Sequence, residues 1–168
     1  GWTTISGTFT VPANADAPSV YIGTADSSPA AAYAYLVDDL FLNQVGGDGP
    51  TDPGPTDPGM PGQPVAAMTT SFEDGLDGWI LRRSSNLDVA PTVSVTDEFA
   101  RTGSQSAVVA NRGNQGDGIG FNVVDVLLPG ITYEIEAWVR FAPNQPAGDI
   151  WVTLQADSAF QTIAQNTG

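Results

Sequence analysis

The chain is 168 residues long and carries fifteen Asp and four Glu against five Arg and no Lys, a formal charge of −14. No basic patch can form on such a surface, which disfavours nucleic acid and anionic lipid as partners, keeps the chain soluble by self-repulsion and suits divalent cations. There is no Cys and no His, so disulfide staples, thiolate nucleophiles and Ser-His-Asp chemistry are excluded, and no apolar run is long enough to cross a membrane.

The first ordered stretch alternates strictly. Ile5, Gly7, Phe9 and Val11 share one face, and Thr4, Ser6, Thr8 and Thr10 the other, the pattern of a half-buried strand. Val20-Tyr21-Ile22 is a short apolar run. Ala30 to Tyr35 reads as a loop leading into a longer strand, Ala34 to Leu42. Gly46 to Pro64 then repeats Pro-Thr-Asp-Pro-Gly twice in succession. Prolines without N–H groups and glycines that are costly to order cannot pair in a sheet, so this stretch reads as a semi-extended spacer.

Beyond the spacer, Thr92 to Val95 and Ser106 to Val109 alternate, and Gly120 to Val123 is followed by the turn Leu127-Leu128-Pro129-Gly130. Tyr133, Ile135, Ala137, Val139 and Phe141 march along one face opposite Glu134, Glu136, Trp138 and Arg140, and Ile150 to Leu154 closes the series. Short strands with turn residues every 8–12 positions, and no amphipathic helix, predict an all-β, two-sheet antiparallel sandwich. The expected organisation is 1–45, a linker at 46–67, and 68–168. Neither flanking piece is comfortable alone, whereas together they have the size of one domain. The chain reads as an internal piece of a longer protein.

Several motifs lie in a fixed order: Ser71-Phe72-Glu73-Asp74-Gly75, Gly78-Trp79, Thr102-Gly103-Ser104, Leu128-Pro129-Gly130-Ile131-Thr132-Tyr133 and Ile135-Glu136-Ala137-Trp138. This order resembles the first two-thirds of carbohydrate-binding modules of family 22, within the 4/9/22 jelly-roll group. The opening Trp2 to Pro12, then Val20-Tyr21-Ile22 and Tyr35 to Leu40, resemble the closing strands of the same module. The chain therefore resembles the end of one module, a linker and the start of the next. Its two pieces are expected to close on each other as one jelly roll in circularly permuted order.

The resemblance implies a non-catalytic, secreted module that binds polysaccharide, xylan or β-glucan, and serves a covalently linked glycoside hydrolase such as a xylanase, with a structural or cell-surface spacer that has lost sugar binding as the other reading. It also implies a structural Ca²⁺ held by Glu73 with Asp38 or Asp39, together with a carbonyl from the Thr102–Ser104 turn. Period two would put Asp38 on the core side with Leu40 and Leu42, where a carboxylate needs a cation or dense hydrogen bonding. Arg82 matches a sugar-contacting arginine, with a surface ion pair as the other reading. Tyr21 and Phe160 match cleft aromatics, with core packing as the other reading. Arg112 is expected to be a structural arginine.

Two departures stand out. The stacking Trp expected after Arg112 is replaced by Gly113-Asn114-Gln115-Gly116-Asp117, and the acid expected two residues past Tyr21 is Gly23. Asn114, Gln115 and Asp117 offer hydrogen-bonding groups in the Trp's place. Trp138, off the core row, would line a sheet face or pack against the second sheet.

Overall fold

A computed structural model describes residues 1–25, 33–46, 66–83, 89–124, 126–146 and 148–167. Most of the spacer, and Ala30–Ala32 of the loop expected before Tyr35, lie outside these residues. The described strands are β1 (Thr3–Thr10), β2 (Ser19–Thr24), β3 (Tyr35–Gln44), β4 (Ala66–Thr70), β5 (Ile80–Arg82), β6 (Thr92–Thr96), β7 (Ser106–Ala110), β8 (Gly118–Asn122), β9 (Thr132–Phe141), β10 (Asp149–Ala156) and β11 (Ala159–Thr167).

They form two antiparallel sheets, as the alternation predicts. One runs β1-β9-β3-β7-β6, with β4 also pairing β3; the other runs β11-β10-β2-β8-β5. The three strands before the spacer are distributed among those after it. β1 lies along β9, with Ile5 opposite Ala137 and Phe9 opposite Tyr133. β2 lies between β10 and β8, and β3 lies between β9 on one side and β7 and β4 on the other.

The core fills the space between the sheets. Ile5, Phe9, Val20, Ile22, Ile119, Ile135, Val139, Ile150, Val152 and Leu154 all point into it, which is the even-odd pattern read from the sequence. The Phe72 and Trp79 of the opening motif are buried here too, and the Trp79 indole N–H donates to Thr70 Oγ1 at 3.3 Å. The Leu128–Gly130 turn is tied to β1, since Gly130 N donates to Val11 O at 2.8 Å. At Gly7 the sheets close so tightly that an added Cβ would stand 2.2 Å from Ile163 O.

One strand breaks its parity. In β3 the core residues are Tyr35 and Val37, then Leu40 and Leu42. The change from odd to even marks a bulge, and the β3–β9 register shifts between Asp38 and Phe41. Asp39 takes a left-handed φ of 44° there, which Asp tolerates better than most side chains. Asp38 is consequently not on the face of Leu40 and Leu42. It shares the outer face with Leu36 and is buried beneath the 99–105 segment rather than in the core.

Candidate functional site

Because Val20 and Ile22 of β2, and Ile150, Val152 and Leu154 of β10, face inward, the residues between them face out. Tyr21 and Gly23 on β2 thus join Trp151, Thr153 and Gln155 on β10, with Tyr21 directly across from Thr153 and Trp151 from Gly23. Arg82 arrives from edge strand β5, which pairs with β8. Phe160 and Thr162 come from β11. A loop at 112–117 covers the remaining side.

Together these residues enclose a cleft of about 370 Å³ lined by Tyr21, Gly23, Arg82, Asn114, Gln115 and Phe160, with Trp151, Thr153 and Thr162 beside them. Five residues singled out from the sequence, Arg82, Tyr21, Phe160, Asn114 and Gln115, are therefore gathered in one place. Trp151 was not among them.

Arg82 is the centre of the cleft. Its guanidinium carbon lies 3.8 Å above the Tyr21 ring and 6.0 Å from the Phe160 ring, a cation–π arrangement. Nε and Nη2 donate to Gln155 Oε1 at 3.4 and 3.2 Å, and Nη1 donates to Gly116 O. Arg82 is therefore held flat by neutral acceptors, with one face on an aromatic ring. Phe160 is 58% exposed, a large ring left open to solvent. The indole Nε1 of Trp151 is buried and has no hydrogen-bond partner among the described residues.

The 112–117 loop is built around a buried arginine. Arg112 donates from Nε to Asp117 O at 2.7 Å, from Nη1 to Tyr33 O at 2.7 Å and from Nη2 to Thr24 Oγ1 at 2.7 Å. Further bonds run from Nη2 to Asn114 O and Gln115 O, both at 3.2 Å. Burial pulls its pKa down, opposed by Tyr35 and Asp117. Asp117 is wholly buried and accepts from Gly113 N at 2.8 Å and Asn114 N at 3.2 Å. It shapes the loop and is not presented to a ligand. Gly116 N donates to Asn114 Oδ1 at 2.8 Å.

Gly23 is explained by the same loop. Gln115 O accepts from Thr24 N at 3.2 Å, and a Cβ on Gly23 would stand 2.7 Å from that carbonyl. An acidic side chain at position 23 has no room while the loop lies there.

The acids assigned to calcium meet on the other sheet. All three clamp the 101–105 turn. Asp38 Oδ2 accepts from Arg101 N at 2.7 Å and Thr102 N at 3.4 Å, and its Oδ1 accepts from Asp39 N at 2.8 Å. Asp39 pairs with Arg101 Nη1 at 2.7 Å and accepts from Thr102 Oγ1. Glu73 Oε1 accepts from Ser104 N at 2.9 Å and Gln105 N at 2.8 Å. Burial raises the Asp38 pKa, and these N–H donors work against that rise.

The turn thus presents N–H groups to the carboxylates, whereas a calcium site is built of oxygens. Among the described residues no three His, Cys, Asp or Glu side chains are arranged to hold a metal. As arranged, the set fits protein donors rather than calcium, with Arg101 as its counter-charge. The Arg101 guanidinium also lies 3.7 Å above the Trp138 ring, so Trp138 lies on the outer face of the six-stranded sheet and does not pack against the second sheet.

A β-sandwich with an aromatic cleft on an outer sheet face, carrying one arginine and several amides and hydroxyls, is the architecture of a ligand-binding module. The family model described as a carbohydrate binding domain, CBM_4_9, matches residues 66–167, and the chain belongs to that family. It is also 27% identical over 164 residues to endo-1,4-beta-xylanase A of Thermoanaerobacterium saccharolyticum, a match covering 94% of this chain and 12% of that enzyme. A second match, to endo-1,4-beta-xylanase A of Thermotoga maritima, is 33% identical over 76 residues and covers 45% of this chain and 7% of the enzyme. The chain therefore spans only a small part of the length of either relative. No solved structure matches it significantly.

Proposed function

We propose that the cleft binds a xylan or β-glucan chain, and that the module is non-catalytic and holds a linked glycoside hydrolase on its polysaccharide. The observation that carries this reading is the grouping of Tyr21, Trp151 and Phe160 with Arg82 in one open cleft. A flat ring packs against the apolar face of a pyranose, while a few polar groups fix its orientation. Arg82 already covers one face of Tyr21. The stacking surfaces are then Phe160 and Trp151, which take the part of the Trp missing after Arg112. Thr153, Thr162 and Gln115 supply hydrogen bonds to hydroxyls.

No Asp or Glu is among the described residues lining the cleft. Glycoside hydrolysis needs two carboxyl groups across the scissile bond, so this cleft is suited to holding a glycan and not to cutting it. Tethering then helps by raising the effective concentration of an attached enzyme on its substrate, and an insoluble polysaccharide places the work outside the cell. The xylanase names of both relatives support xylan. The Thermoanaerobacterium match covers both segments of this chain, which supports the order end-of-module, linker, start-of-module seen in the family 22 resemblance. The pairing of β1, β2 and β3 with later strands then corresponds to a circularly permuted module.

Affinity electrophoresis tests the function. Soluble xylan in the gel should retard the chain, and Phe160→Ala should reduce the retardation by about three- to tenfold in affinity, the scale of one aromatic contact. Absence of retardation on xylan, mixed-linkage β-glucan and hydroxyethyl cellulose alike would refute it.

A further inference from the structure

We infer that the glycan carries carboxylates: Arg82 pairs with the acid group of a uronic-acid-substituted polysaccharide. The inference rests on the reading of the cleft as a glycan site and adds the chemical class of its ligand.

The starting point is where the acids are not. Nineteen acidic residues are spread over this chain against five arginines, yet none of the described residues lining the cleft is acidic. Among the described residues, Arg82 therefore stands in an acid-free lining within a strongly acidic protein. Its partners are the Gln155 amide oxygen, the Gly116 carbonyl and the Tyr21 ring, all of them neutral. Arg101 shows the contrast, since it is paired with Asp39 at 2.7 Å.

A guanidinium has five N–H donors. The bonds to Gln155 and Gly116 engage Nε, Nη1 and Nη2 once each, which leaves two N–H donors for a ligand. They belong to a group already immobilised on a ring and two acceptors, so little further entropy is lost when it binds. A neutral hydroxyl could be served by any amide. A fixed planar fork with an uncompensated charge matches a carboxylate, which accepts two parallel N–H bonds.

The overall charge does not forbid this. At physiological ionic strength the field of distant acids is screened beyond about 8 Å. A polysaccharide with occasional acid branches also differs from nucleic acid, which carries a charge every ~1.7 Å of duplex. Dense polyanions meet the whole acidic surface. A sparse acid needs only to reach one cleft whose described lining carries no acid.

The test compares glucuronic-acid-substituted xylan with the same polymer after chemical reduction of its carboxylates to alcohols. Both are titrated into the unmodified protein, and the binding heats are followed in low salt and in high salt. Carboxyl reduction should weaken binding about tenfold, and added salt should abolish the difference because the extra term is electrostatic. Arg82→Gln should bind both polymers with the same reduced affinity. Equal binding of native and reduced polymer by the unmodified protein would overturn the inference and leave the glycan-binding reading standing. Binding to neither polymer would overturn both.

Discussion

Replacing Gly23 with Ala adds one methyl group at the place where strand β2 and the 112–117 loop touch. The added Cβ would stand 2.7 Å from Gln115 O, against an ordinary contact of 3.4–4 Å. The obstacle is a backbone carbonyl, not the end of a mobile side chain. The loop must therefore lift by roughly 0.7 Å or more, stretching the 3.2 Å bond from Thr24 N. Overpacking of this kind costs about 1–3 kcal/mol, or a fall in Tm of roughly 2–12 °C for a chain of this size. The sign is informative. At an ordinary strand position Gly→Ala stabilises a protein by about 0.4–1 kcal/mol through the unfolded chain. Urea denaturation should show Gly23→Ala to be less stable, and gel retardation on xylan should weaken as Asn114 and Gln115 move away from the cleft. A variant with an unchanged or raised midpoint and unchanged retardation would refute the account of the loop as a lid laid directly on Gly23.

Gly7→Ala should be more damaging still, because its Cβ would lie 2.2 Å from Ile163 O and must part β1 from β11; a midpoint above that of Gly23→Ala would contradict this ranking. For Asp38 the folded pKa is raised above the unfolded value of 3.8, so between those two values the native state binds more protons than the unfolded one. Its contribution is therefore greatest below 3.8 and falls as pH rises through the folded pKa. Asp38→Asn should consequently lose more stability, relative to the unmodified chain, at about pH 4 than at neutral pH; a difference that grows with pH would reverse the argument. Because Glu73, Asp38 and Asp39 are matched by N–H donors and Arg101, chelation with EDTA should leave Tm unchanged, whereas a fall on chelation restored by Ca²⁺ would show a cation joining them.

What could be read in the sequence follows from which features are local. Alternation is local, and it placed Ile5, Phe9, Ile135 and Val139 on the buried face, whereas Tyr21, inside a short apolar run, was tied to a cleft only by the family resemblance, with core packing as the other reading. Trp151 was within reach of the same rule: with Ile150, Val152 and Leu154 inside, it must face out on the strand that pairs with β2. It went unassigned because its neighbours across the sheet come from residues 19–24, and that pairing is not a property of either segment. Asp38 failed for the opposite reason. Its parity was counted through Asp39, whose left-handed backbone inserts an extra residue, and nothing in Val-Asp-Asp-Leu announces a bulge. The same bulge turns Asp38 away from the core and onto the 101–105 turn, where its oxygens meet amide hydrogens. Gly23 joins the two cases. As a sequence position it looked like the loss of a ligand-binding acid, and only the carbonyl of Gln115, ninety-two positions further along the chain, shows that a side chain there would displace the loop that builds the cleft.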